Sequence, residues 1–166
     1  MAVVTLYGSR IMTGLANTTP AVLADPGEGG GKLRVWTETV EFTSTDSASS
    51  TALMARLPSN ARIMDSAKVY WDQLSSAAAT AVVGIYNIGS TTLITDAPSA
   101  FTTTALATSV AGSGALVTDI ANYGKRLYEY TASTTDPKCD LDVKFKLLSD
   151  NTVAGTVTVA VYYTVD

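Results

Sequence analysis

Twice in its last third the chain alternates between apolar and polar residues, and a strict period of two describes a strand with one dry and one wet face. In residues 139–148, Leu141, Val143, Phe145 and Leu147 interleave with Asp140, Asp142, Lys144 and Lys146. In residues 153–165, Val153, Val157, Val159, Val161, Tyr163 and Val165 share one parity, with Thr156, Thr158, Tyr162 and Thr164 on the other. Ser149-Asp150-Asn151 between them has the side-chain chemistry of a hairpin turn. The pattern predicts a closing hairpin, with residues 141, 143, 145 and 147 facing a core and 140, 142, 144 and 146 facing water.

The same period recurs upstream. Residues 33–44 alternate, with Trp36, Val40 and Phe42 on one parity and Val35, Thr37, Thr39 and Glu41 on the other. A polar turn at 45–50 precedes a strand at 51–57 that Pro58 stops. Residues 62–74 set Ile63, Ala67, Val69 and Trp71 against Met64, Lys68, Tyr70 and Asp72. Residues 80–87 and 91–95 read as a strand pair around Ile88-Gly89-Ser90, and 97–118 as a low-complexity loop with marginal strand. Residues 119–123 suit a single helical turn ended by Gly124. Residues 126–131 read as a strand, and Asp136-Pro137 marks a turn. About eight antiparallel strands with almost no helix predict an all-β fold, an antiparallel, jelly-roll-like β-sandwich. No repeat is visible at the period of a propeller blade or solenoid unit.

Residues 1–31 differ from this body, which spans 32–166. They show little periodicity and end in Ala24-Asp25-Pro26-Gly27-Glu28-Gly29-Gly30-Gly31, a composition unsuited to regular structure. They read as an extended N-terminal arm with a Gly-rich joint. Its apolar anchors exceed those of most disordered tails, so the arm is expected to order against a neighbour. The candidate partner contacts are Val3, Val4, Leu6, Tyr7, Arg10, Ile11 and Leu15.

Composition narrows the chemistry. The chain has no histidine, so the usual general base, the commonest zinc ligand and every Ser-His or Cys-His pair are missing. A carboxylate-pair hydrolase needs only Asp or Glu, but Asp140 and Asp142 alternate into Lys144 and Lys146 and read as a solvated face. Gly27–Lys32 lacks the spacing, the Ser or Thr and the following helix of a phosphate loop, and no carboxylate series follows a calcium-loop pattern. No catalytic residue, cofactor, metal or small-molecule substrate is therefore expected. The lone Cys139 forms no internal disulfide. A net charge of -4 argues against nucleic acid as a partner. No apolar run approaches a membrane span, and residues 1–7 do not resemble a signal peptide. With 46% hydrophobic and only 16% charged residues, the surface suits an oligomer or a subunit of a larger assembly. Tyr70-Trp71 and Tyr162-Tyr163 each put one aromatic on either face of a strand. Trp71 and Tyr163 are assigned to the core, and Tyr70 and Tyr162 to an aromatic interface.

Two stretches carry a resemblance. MARLPSNARIMDSAKVYWDQL at residues 54–74, followed by AVVGIYN at 81–87, resembles a strand–Leu-Pro–turn–strand pattern of tailed-bacteriophage virion proteins. DIANYGKRLYEY at 119–130, then Asp136-Pro137 and the closing alternation, is similar to the C-terminal half of the same proteins. The resemblance covers the strands and turns of the body but not residues 97–118. It implies a capsid decoration (cement) protein, or a related head or tail accessory protein. Such a protein is a small β-sandwich that assembles as a homotrimer on the outer surface of the virion and clamps neighbouring major capsid subunits. It would be made in the host cytoplasm. A glycan-binding module of a fibre or tail accessory protein, stacking sugars on Tyr70, Tyr162 or Tyr123, is the alternative.

Overall fold

The computed structural model describes residues 32–75, 80–90, 94, 106–107, 111–117, 122–131 and 133–165. Residues 33–165 make one compact unit. It is built from β1 (Arg34–Phe42), β2 (Thr51–Pro58), β3 (Ala61–Ile63), β4 (Lys68–Trp71) and β5 (Thr80–Asn87). Then follow β6 (Leu106–Ala107), β7 (Gly112–Ala115), β8 (Asp140–Leu147) and β9 (Gly155–Val165). No helix among the described residues is long and apolar enough to cross a membrane.

The strands form two antiparallel sheets, ordered β1-β9-β4-β7 and β2-β8-β5-β6. Chain neighbours thus fall repeatedly in opposite sheets, β1 then β2, and β8 then β9, which is the winding of a jelly roll. β3 and β4 lie one after the other along β9, with Ile63 opposite Tyr163 and Lys68 opposite Ala160. They are one interrupted strand, so the nine segments among the described residues fill eight strand positions, close to the expected number though not at every expected place.

Alternation sets the core. Val157, Val159 and Val161 of β9 face Val143, Phe145 and Leu147 of β8 across the sandwich, joined by Leu57, Ile63, Val69, Val83 and Ile85. Phe42 of β1 meets Phe145 of β8 with ring centroids 5.5 Å apart, tying the two sheets together. Trp71 is half-buried and lies over Gly112, where a Cβ would stand 2.7 Å from the indole. Tyr163 is buried, as assigned.

Four expectations are corrected. β8 and β9 do not form a hairpin: β8 pairs with β2 and β5, and β9 with β1, β3 and β4. The Ser149-Asp150-Asn151 segment crosses between sheets instead. Asp150 accepts a hydrogen bond from the Ala48 amide, and the Asn151 amide donates to Asp46. Val153 belongs to this crossing, its amide bonded to the Leu74 carbonyl, and β9 starts at Gly155.

The polar face of β8 is not wet throughout. Asp142 and Lys144 are buried, as are Val82 and Tyr86 beside them on β5, so the middle of the second sheet's outward side is covered. Lys144 donates to the Ser90 carbonyl at 2.6 Å and lies 5.4 Å from the Tyr86 ring centroid. Finally, residues 126–131 are not a strand. Arg126 makes a single bridge to Arg62, and Leu127–Thr131 is a 3-10 helix. Glu129 accepts the Arg126 amide, and the Thr131 hydroxyl donates to the Tyr128 carbonyl. Local side-chain bonds thus satisfy groups a ladder would have used. The expected turn at 119–123 is described only from Asn122, and Gly124 stands at φ +74°, suiting its role as a stop. Of the expected strand at 91–95 only Ile94 is described, its amide bonded to the Ile85 carbonyl. The 97–118 stretch supplies β6 and β7.

Candidate functional site

β1 and β2 are edge strands of the two sheets, and they lie beside each other at one side of the sandwich. β1 pairs with β9 through its whole length, from Arg34 opposite Tyr163 to Phe42 opposite Gly155. Its other edge is unpaired among the described residues. Arg34, Trp36 and Glu38 share the inward parity, since Trp36 stands opposite the fully buried Val161. Trp36 is nevertheless 40% exposed. An inward-facing tryptophan that reaches water marks a place where the sandwich is not closed.

The sequence of β2 explains part of this opening. Leu53 pairs with Lys144 and Ala55 with Val143, so Met54 is an extra residue, a β-bulge. Met54 and Ala55 both point inward, while Leu53 (45% exposed) and Arg56 point out. A bulge bends its strand and increases the local twist. Between the two edges lies a groove of 280 Å³ lined by Trp36, Glu38, Leu53, Met54, Ala55 and Arg56. Leu33 and Val35 extend the exposed apolar surface along β1.

The charges are placed unequally. Arg56 donates from Nε to Asp142 Oδ1 at 2.7 Å and from Nη2 to Oδ2 at 3.2 Å. This hydrogen bond holds the guanidinium pKa above its ordinary value. The Lys144 ammonium lies 3.6 Å from the same carboxylate. Arg34 and Glu38, by contrast, have no ion-pair partner among the described residues. A strand edge and two charges without strand or ion-pair partners among the described residues, beside an exposed tryptophan and leucine, suit the binding of another polypeptide.

The candidate carboxylate pair is split: Asp140 is exposed and Asp142 is buried beneath Arg56. A second, polar cleft of 570 Å³ is lined by Pro58, Ser59, Asn60, Asp136, Lys138, Cys139 and Asp140. There the Ser59 hydroxyl and the Lys138 amide donate to Asp136 and hold its carboxyl below the usual range. No cluster of three or more potential metal ligands occurs among the described residues.

Val3, Val4, Leu6, Tyr7, Arg10, Ile11 and Leu15 lie outside the described residues. Tyr70 and Tyr162 do share the outward face of the first sheet, but the structure does not bring them together. Tyr70 is 46% exposed and stands between Thr158 of β9 and Ser113 of β7. Tyr162 is half-buried and stands opposite Val35. The two positions are four residues apart along β9, roughly 13 Å of strand. The groove residues Trp36, Leu53 and Arg56 were not singled out by sequence. Trp36 reads as core by parity, and the bulge that turns Leu53 outward has no signature in the alternation of residues 51–57.

No protein-family model and no curated protein matches the chain. Solved structures do. A chain of the cyanophage Pam1 capsid asymmetric unit matches with a TM-score of 0.53 and 24% identity, covering 92% of this chain and 99% of that one. A chain of the capsid of Ralstonia phage GP4 matches with a TM-score of 0.54 and 15% identity, covering 95% and 96%. The fold is thus shared with whole chains of phage capsid structures.

Proposed function

We propose that this chain is a structural virion protein of decoration type, which binds the outside of a bacteriophage head and bridges neighbouring major capsid subunits. The fold likeness carries the reading: two chains from phage capsids match this one over almost their full lengths. Each match spans nearly the whole of the solved chain as well as nearly the whole of this one.

The surface supports the bridging role. A sandwich that closes its own core around β8 and β9 keeps its edges available for contact. The exposed apolar residues concentrate at β1 and β2, where an added strand gains main-chain hydrogen bonds together with apolar burial. Residues 1–31 supply a second means of contact through Val3, Val4, Leu6, Tyr7, Arg10, Ile11 and Leu15. Several modest contacts made at once give a cement its avidity. The resemblance implies that the chain assembles as a homotrimer on the shell.

Cosedimentation with undecorated shells of the phage that encodes the chain tests the proposal. The full chain is expected to pellet with shells at a saturating, fixed ratio, and a chain lacking residues 1–24 to remain folded but bind more weakly. Absence of the full chain from the shell fraction would overturn the reading. Unchanged binding by the truncated chain would remove the arm from it.

A further inference from the structure

Trp36 and Leu53, with the buried Met54 and Ala55, give the groove between β1 and β2 an apolar lining. Its volume of 280 Å³ is near the lower bound of small-molecule pockets, about 300 Å³, and suits protein side chains better than a cofactor. Two charged residues line it as well. The Arg56 guanidinium is already committed to Asp142, through hydrogen bonds of 2.7 and 3.2 Å. Glu38 differs. Its Oε1 accepts the neighbouring Thr39 amide at 3.3 Å, and no cation pairs with it among the described residues. Arg34, on the same parity of β1, is four residues away, roughly 13 Å of strand. We propose that the groove receives a segment of the major capsid subunit in which an apolar side chain stands next to a lysine or arginine. The apolar side chain covers Trp36 and Leu53, and the cation meets the Glu38 carboxylate.

The charge of Glu38 decides the chemistry of the occupant. A segment that covers Trp36 and Leu53 also takes water from the carboxylate two residues along β1 from Trp36. A carboxylate desolvated without a counter-ion opposes binding, so a wholly apolar or an acidic segment is disfavoured. A basic segment gains an ion pair partly shielded from water. Trp36 supplies the broad aromatic surface of an interface anchor, and its indole face also attracts a cation. Met54, unbranched and polarizable, adapts to the shape of the entering side chain. The contact is made by side chains and needs no added strand. It is compatible with a trimer, each copy of which offers the shell one such groove, and several weak contacts then add as avidity. The inference rests on the decoration reading and adds to it the chemistry of the shell segment.

Cosedimentation of full-length variants with undecorated shells, over a series of salt concentrations, tests the pairing. The far-UV spectrum and the solution mass of each variant serve as controls. Glu38→Gln is expected to weaken shell binding about 10-fold and to flatten its salt dependence, and Glu38→Lys to weaken it about 100-fold at low salt. Glu41→Lys makes the same charge change on the outward parity of β1, at an exposed residue, and is expected to bind as the wild type does. All three are expected to keep the wild-type spectrum and mass. Wild-type binding by Glu38→Lys would overturn the proposal. So would an equal loss in Glu41→Lys, which would make net charge the cause. A changed solution mass in the Glu38 variants would overturn it too, because a second copy would then be the occupant. If the full chain fails to bind shells, the decoration reading falls and this inference with it. If the full chain binds and the Glu38 variants bind equally well, only the inference falls.

Discussion

Asp142 lies on the outward side of a central strand yet is only 1% exposed, and two cations surround it. Removing a buried charge that others depend on costs more than the pair contributes, because its partners are left desolvated. Asp142→Ala is expected to lower the unfolding free energy by about 2–3 kcal/mol, measured by urea denaturation. Tyr86 predicts the opposite. Its hydroxyl is buried without a hydrogen-bond partner among the described residues, so Tyr86→Phe removes a desolvated group and is expected to be neutral or stabilising by about 1 kcal/mol. The sequence alternation showed Asp142 and Lys144 as polar and outward, but not that the middle of this side is covered. A pattern of two reports which face a side chain takes, and not what lies over it.

Titration belongs to the same scale. Asp72 is held below the ordinary carboxyl value of 3.8 by hydrogen bonds from Thr156, and Asp136 is held low by Ser59 and Lys138. The unfolded carboxyls bind protons at higher pH than the folded ones. The stability they contribute is therefore complete above the unfolded value and is lost as pH falls through the folded values. Burial pushes Tyr130 up to about 12, with the Glu129 charge adding to it, which favours the neutral phenol in the fold. That contribution is complete below the unfolded value of 10.0 and is lost as pH rises toward 12. Between about pH 5 and 9 these groups contribute no slope. Thermal melts across pH are expected to show an acid and an alkaline decline, and a step near pH 6.5 would contradict this.

At the scale of elements, the interruption of β4's pairing line and the bulge at Met54 matter more than the regular strands. Gly112 on β7 permits Trp71 to lie against the backbone, since a Cβ there would meet indole carbons at 2.7 and 3.1 Å. Gly112→Ala is expected to cost about 1–3 kcal/mol through this overpacking, read as a lower melting temperature with a changed tryptophan emission. The strands β1 and β9 were legible because β-branched and aromatic residues recur at period two, and β2 and β5 because short apolar runs end at Pro58 and at Ile88-Gly89-Ser90. Their partners were not. Consecutive strands β8 and β9 look like a hairpin in sequence, but both are central strands of different sheets, a fact set by long-range pairing. The Leu127–Thr131 helix was hidden for a related reason: Glu129 and Thr131 satisfy the backbone locally in a stretch rich in strand formers.

For the whole molecule, the jelly roll explains why the recognisable pattern and the functional surface are in different places. The most regular residues, in β8 and β9, lie in the middle of the sheets and hold the core. The surface that distinguishes the chain lies at the β1–β2 edge, where inward parity and exposure coincide at Trp36. Parity groups Trp36 with Val40 and the buried Phe42, and the sequence does not show where a sheet ends. A Leu53→Glu variant separates the two roles. It is expected to keep the melting temperature within about 2 °C, since Leu53 faces out. It is also expected to weaken binding to undecorated shells, as read by cosedimentation.

Cementing implies more than attachment, and the melting temperature of the shell tests it most directly. Undecorated shells titrated with the full chain are expected to disassemble at a temperature that rises with occupancy and levels off at saturation. Shells that bind the chain to saturation and melt where bare shells do would contradict the account.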